Sequence, residues 1–204
     1  MATRSRLQIL KIVGLVIFAV ILVADLWSKS YMQERLGLEP GPEIRVSAHT
    51  VIVIEGLLAW QGTWNPGVTW GLLPGQTTVI LALTGLATLA LFVWFLGTKL
   101  PSKCLHVGLS LILAGAVGNL YDRMKWDKVR DFILFYSGDI NDPDVFHILG
   151  VKLWPWPNFN IADAGIVCGV ILVLWDALFG LGAKDAKARY LAKKAAQEAS
   201  KGQA

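Results

Sequence analysis

Four stretches of this chain, residues 8–28, 77–97, 104–124 and 161–183, are long enough and apolar enough to cross a bilayer. Each has about the 20 residues that an α-helix needs to traverse a ~30 Å hydrocarbon layer at ~1.5 Å per residue. From Ile12 to Ala24 there is no polar side chain at all. Only 17% of the 204 residues are charged, against about 25% in soluble domains. The chain therefore reads as one membrane domain, 1–204, with two long connections (29–76 and 125–160), a short one between the second and third spans, and a tail, 184–204, rich in Ala and Lys. The first span follows Arg4, Arg6 and Lys11 and has the outline of a signal peptide. No small-x-small cleavage site follows it, and its removal would leave an odd number of spans, so it is read as a span.

Lysine and arginine orient the bundle. The N-terminal segment, the short loop and the tail carry eleven basic residues against two acids, whereas the two long connections, with the ends of their helices, carry eight basic and ten acidic residues. Both termini are expected in the cytoplasm and both long loops outside.

The first outer loop has a β character. Thr50–Glu55 is β-branched, and Gly56, Gly62, Pro66, Gly67 and Gly71 punctuate the residues after it, a pattern of short strands and turns. Trp60, Trp64 and Trp70 are expected at headgroup depth, and Trp154-Pro-Trp156 as a second interfacial anchor. Val129–Tyr136 is largely apolar and is read as a segment lying on, or re-entering, the bilayer surface. The expected fold is an all-α integral membrane protein: four transmembrane helices, a small outer-face β-sheet, and a long outer loop with an amphipathic segment.

Two polar clusters interrupt this apolar plan at the same face. Asn119, Asp122 and Arg123 end the third span and Asp131 comes after them; Asn160 and Asp163 open the fourth. Charges in hydrocarbon are costly, so they are paired, interfacial or functional. Asn160 with an acid three residues on is also a helix-start signature, Asp122-Arg123 reads equally as an ordinary salt bridge at a helix end, and Asp25 with Lys29 as an i,i+4 interfacial pair. Asp176, about 20 Å further down the fourth helix, is read as interfacial at the other face and outside the site. His49, His106 and His147 are scattered, Cys104 and Cys168 lie in apolar segments, and no Gly-x-Ser-x-Gly elbow is present. Nothing calls for a metal, a cofactor or a nucleic-acid partner. What remains is carboxylates with amide and arginine support, a set that can hydrolyse a peptide if two acids share a water, one as base and one as acid. Adjacent acids cannot both ionise easily and titrate as a coupled pair. The reading is that Asp131 and Asp163 form that pair.

Five motifs, in order, carry a resemblance. They are Asp25-x-x-x-Lys29; Asn65-Pro-Gly67-Val-Thr-Trp70; Gly115-x-x-Gly118-Asn119-x-x-Asp122-Arg123; Val129-Arg-Asp131-Phe132; and Phe159-Asn160-Ile-Ala162-Asp163. Together on a four-span chain they resemble the lipoprotein signal peptidases (signal peptidase II), aspartyl proteases of the bacterial inner membrane. The resemblance implies that Asp131 and Asp163 are the catalytic dyad. Asn119, Arg123 and Asn160 would orient dyad and substrate, Asn65 and Gly67 would lie near the pocket, and Asp25, Lys29 and Asp122 would support the site. It implies a diacylglyceryl-modified prolipoprotein as substrate, cut just before the lipidated Cys, in contact with membrane lipid. Two departures accompany it: the 32 positions from Asp131 to Asp163 and the Glu39–Glu43 stretch both enlarge the outer loops. A proton relay or small transporter, with Asp25, Asp122, Asp131 and Asp163 as ion sites, is the competing reading, and a non-catalytic scaffold with capping acids is a third. A relay would string its acids across the bilayer.

Overall fold

A computed structural model of the chain describes residues 2–41, 46–67, 77–143, 146–148, 151–154 and 156–180, together with Lys184, Ala188 and Leu191. Four helices carry the fold: α1 (Ala2–Leu36), α2 (Thr77–Gly97), α3 (Lys103–Trp126) and α4 (Ile161–Phe179). Each is long and apolar enough to cross a membrane. α1 continues well past residue 28, which places Asp25 and Lys29 inside the helix rather than at its end.

α3 is the centre of the bundle and packs against the other three helices. Leu105, Leu109 and Leu113 on α3 meet Phe95 of α2 in a buried cluster. Apolar surface drives little association between helices inside lipid, so close packing and hydrogen bonds must do it. Gly115 shows the closeness of α3 to α4: a Cβ there would lie 2.3 Å from the Ala162 carbonyl oxygen. The outward faces of α1, α2 and α4 expose Val16, Val20, Leu86, Val167, Ile171 and Trp175, side chains suited to lipid.

A three-stranded antiparallel sheet caps one end of the bundle, in the order β1 (Val46–Ile54), β2 (Leu58–Asn65), β3 (Val129–Phe135). β3 is the segment read from sequence as lying on or re-entering the bilayer surface. It is a strand whose first four residues are buried on both faces, with β2 on one edge and Phe159 hydrogen-bonded to Ile133 on the other. Two short hairpins come next, β4 (Gly138–Asp139) with β5 (Asp142–Pro143) and β6 (Phe146–Ile148) with β7 (Val151–Trp154).

The tryptophans of the first outer loop divide. Trp64 is buried, donates its indole N–H to the Glu39 carbonyl and packs on Trp126, so it is a core residue and not a membrane anchor. Trp60 leans on Phe132; Trp70 and most of the tail lie outside the described residues. Asp176 is buried against protein: it is 3% exposed and accepts a hydrogen bond from Ser102, the N-cap of α3, at 2.6 Å.

Candidate active site

Three pieces of local structure bring the polar clusters together. β3 begins three residues after α3 ends, so Asp131 emerges close to Asn119 and Asp122. The turn is made by Asp127, the α3 C-cap, which is left-handed at φ 58° and donates its N–H to the Arg123 carbonyl. On the far edge of β3, Phe159 exchanges main-chain hydrogen bonds with Ile133. That pairing delivers Asn160, the N-cap of α4, to the side of Asp131. On the near edge, Asn65 pairs with Val129 and Asp131 with Thr63. Asn65 and Asp131 are therefore diagonal neighbours across β2 and β3, within side-chain reach.

The two acids are held by three asparagines. Asp131 accepts from Asn160 Nδ2 at 2.7 Å on Oδ1 and from Asn65 Nδ2 at 3.0 Å on Oδ2. Asp163 accepts from Asn119 Nδ2 at 2.8 Å on Oδ1 and from the Asn160 main-chain N–H at 3.2 Å on Oδ2. Which end of an amide is nitrogen is settled by its neighbours, and here each amide oxygen faces a group that can only donate. Asn119 Oδ1 faces the Lys29 ammonium at 2.8 Å, Asn160 Oδ1 the Asp163 N–H at 3.0 Å, and Asn65 Oδ1 the Gly67 N–H at 3.1 Å. All three NH₂ groups are thereby turned toward a carboxylate. Asn160 and Asp163 complete a capping box, so the helix-start reading holds, and the same two residues belong to the acid cluster.

Asp25 and Lys29 form the expected i,i+4 ion pair at 2.8 Å, but both are fully buried. Asp25 Oδ1 accepts the N–H of Ala162, in the first turn of α4, at 2.9 Å, where a carboxylate suits the helix dipole. Gly118 makes this approach possible, since a Cβ at that position would lie 2.3 Å from Asp25 Oδ2.

Asp122 does not pair with the adjacent Arg123. Its partner is Arg130, whose Nη2 lies 2.6 Å from Oδ1 and whose Nε lies 3.1 Å from Oδ2. Successive helical residues point about 100° apart, which rules out a pair between neighbours on one face. Arg123 instead donates to the Gly67 carbonyl at 3.0 Å. Arg130 is the polar residue that sequence reasoning passed over. Its signal is faint: a charged residue inside an otherwise apolar strand, beside an acid.

The charges around the two acids nearly cancel. Lys29, Arg123 and Arg130 face Asp25, Asp122, Asp131 and Asp163. Three cations against four carboxylates are balanced when the Asp131–Asp163 pair holds one proton. Asp131 is 1% exposed. Burial first, and the Asp163 charge second, hold its carboxyl well above the usual range, against the lowering effect of Asn65, Lys29 and Asn160. Asp163 is only partly buried, so the pair has one dry member and one with access to the outside. Among the described residues, no three His, Cys, Asp or Glu side chains are grouped to hold a metal ion.

Depth argues against a relay. Between the acid cluster and Asp176 with His106, the bundle-spanning parts of α1, α3 and α4 carry no Asp, Glu, Lys, Arg or His.

Fold and site define the class: an integral membrane protein that keeps a carboxylate pair at one end of a four-helix bundle, under a small sheet. Residues 17–179 match the family described as signal peptidase (SPase) II, and the chain belongs to that family of peptidases. It is similar to the lipoprotein signal peptidase of Methylocella silvestris, 31% identical over 173 residues that cover 83% of this chain and 87% of that one. It is also similar to that of Rhodopseudomonas palustris, 36% identical over 127 residues covering 60% and 70%. Its backbone matches a solved structure described as a bacterial membrane enzyme determined by the in meso method at 2.3 Å. The TM-score is 0.62, with 27% identity, over 81% of this chain and 90% of that one.

Proposed function

We propose that this chain removes the signal peptide from diacylglyceryl-modified prolipoproteins, cutting before the lipidated Cys, with Asp131 and Asp163 as the catalytic dyad. The observation that carries the proposal is that one amide, Asn160, ties together two carboxylates from distant elements, its side chain to Asp131 and its main chain to Asp163. Membership of a peptidase family whose relatives are named lipoprotein signal peptidases supplies the substrate class.

In the resting pair the shared proton is placed on Asp131, whose carboxyl burial and the Asp163 charge raise, and Asp163, the member with access to the outside, serves as the base. Asp163 takes a proton from a water placed between the two acids. The resulting hydroxide adds to the scissile carbonyl carbon while Asp131 gives its proton to the carbonyl oxygen. Collapse breaks the C–N bond, and the proton on Asp163 passes to the leaving amine. The oxygen's proton returns to Asp131, so acid and amine leave and the pair regains its starting state. Asn65, Asn119 and Asn160 hold the carboxylates in place, and Arg123 holds Gly67 beside them. We assign the site to the outer face of the bacterial inner membrane with both termini cytoplasmic, from the basic bias of termini and short loop.

The test is purified protein with a diacylglyceryl precursor and with the same precursor unlipidated. Release of signal peptide from the lipidated form alone, lost in Asp131→Asn and Asp163→Asn, is the expected result. Cleavage by either Asn variant at the wild-type rate would remove that residue from the dyad. Reporter fusions at residues 99–103 and 40–60 check the orientation.

A further inference from the structure

Residue 130 joins more of the site than any acid in it. Its side chain makes a fork on Asp122 of α3 through Nε and Nη2, and its main-chain N–H reaches the same carboxylate at 3.0 Å. Nη1 extends to α1, to Gln33 Oε1 at 3.1 Å and Ser30 Oγ at 3.3 Å. Its carbonyl oxygen accepts from Asn160 Nδ2 at 3.3 Å. One residue before Asp131, a 4% exposed guanidinium thus binds α1 and α3, while the carbonyl of the same β3 residue reaches the cap of α4.

The arrangement also governs Lys29. Its ammonium lies 2.8 Å from Asp25 and from Asn119 Oδ1, but 3.8 Å from Asp122 Oδ2. Asp122 is already satisfied by three donors from Arg130, so Lys29 stays on Asn119. That contact, the shorter of two on Asn119 Oδ1 (Asn160 Nδ2 is the other, at 3.2 Å), helps turn the Asn119 NH₂ toward Asp163.

We infer that Arg130 is a positioning residue of the reaction. It fixes the height at which β3 presents Asp131, and by saturating Asp122 it reserves Lys29 for the amide that orients Asp163. The inference rests on the dyad reading above. It needs arginine: two parallel bonds to one carboxylate and a further N–H for α1 require a planar fork, which a lysine lacks. Without the fork, Asp122 draws Lys29 away, and Asp163 loses a donor and a nearby cation. The charged groups around the pair are Asp25 and Lys29 from α1, Asp122 and Arg123 from α3, and Arg130 from β3. Arg130→Lys keeps the charge at 130, but displacement of the Lys29 ammonium from the pair moves its ionisation to higher pH.

The experiment compares wild type, Asp131→Asn and Arg130→Lys on the lipidated precursor, with melting of each in detergent. For Arg130→Lys the expected result is kcat lowered by about 10- to 100-fold, the loss that follows from a displaced charge-assisted donor. KM should stay within about threefold, and the acid limb of the pH profile should move upward. Wild-type kcat, or a lowered melting temperature with unchanged kcat in the folded enzyme, overturns the inference and makes Arg130 a stabilising residue only. If Arg130→Lys does not fold, the neutral pair Asp122→Asn/Arg130→Gln tests the height of β3, because an amide at 122 no longer draws Lys29. A folded pair with kcat reduced at least tenfold supports that positioning role, and wild-type kcat overturns the inference. If wild type fails to cleave, or Asp131→Asn cleaves normally, it is the dyad reading that falls.

Discussion

Asn160 and Asp163 cap α4 reciprocally, and the same Asn160 donates to Asp131 at 2.7 Å. The helix start is therefore also the joint between the two acids. Capping and chemistry, which the sequence presents as alternatives, make separable predictions at this residue. In Asp163→Asn an amide oxygen can still accept the Asn160 N–H, so melting should change little. A general acid–base group is worth ~10²–10⁴-fold in rate, so cleavage should fall by at least that lower bound. Because a pair acts as one unit, Asp131→Asn/Asp163→Asn should lose little more than either single change. Rates on the lipidated precursor beside thermal melts decide it.

Asn65 couples the sheet to the dyad. Its NH₂ donates to Asp131 while its oxygen holds the Gly67 N–H in a turn. A hydrogen bond to a charged group is worth ~1.5–3 kcal/mol, about 10- to 100-fold in rate if it is realised in the transition state. Asn65→Ala should lose cleavage in that range with a smaller loss of stability. Unchanged activity in a folded variant would reduce Asn65 to a turn residue.

The raised pKa of Asp131 has a stability consequence with a definite sign. A carboxyl that binds its proton more tightly when folded favours the folded state fully at pH values below its unfolded pKa, and that contribution is lost as pH rises through the folded pKa. Burial and the Asp163 charge raise Asp131. The wild-type melting temperature should therefore fall as pH rises from about 4 toward neutrality by more than that of Asp131→Asn. Parallel curves for the two proteins would show that Asp131 titrates alike folded and unfolded.

Much of the fold is legible in the apolar runs, because a bilayer forces each run into a helix. The polar partners are less so. Asp25 and Lys29 look like a surface pair since the residue that buries Asp25 is Ala162, 137 positions away. Val129–Tyr136 looks like a bilayer-surface segment because a strand whose first four residues are covered on both faces loses the alternation that marks strands. Asp122 and Arg123 suggest each other by adjacency, and only the turn at Asp127 brings Arg130 back to displace that pairing. The acids themselves are readable because nothing else in the apolar plan accounts for them.

The Asp122–Arg130 pair also predicts a stability defect distinct from the dyad's. Both side chains are buried, and removing one partner of a buried pair costs about 3–5 kcal/mol. Asp122→Asn should lower the melting temperature markedly, where Asp163→Asn does not. A variant that melts like wild type would mean that water or Ser30 and Gln33 take over the guanidinium.

Gly118 tests whether the bundle itself sets the site. An added Cβ would meet Asp25 Oδ2 at 2.3 Å and Cγ at 3.2 Å. Asp25 is fully buried and tied to both Lys29 and the Ala162 N–H, so it cannot swing clear without releasing them. Lys29 would then shift from Asn119, and the first turn of α4, which carries Asp163, would lose its carboxylate. Gly118→Ala should therefore reduce cleavage at least tenfold, a loss of roughly 1.4 kcal/mol in transition-state stabilisation, and lower stability as well. Gly85→Ala is the comparison, since nothing lies within 4 Å of a Cβ there. In a helix interior alanine is favoured over glycine by ~0.8–1.0 kcal/mol, so that variant should be as stable as wild type or more so, with full activity. If the two variants behave alike, the contact between Gly118 and Asp25 does not hold the site together.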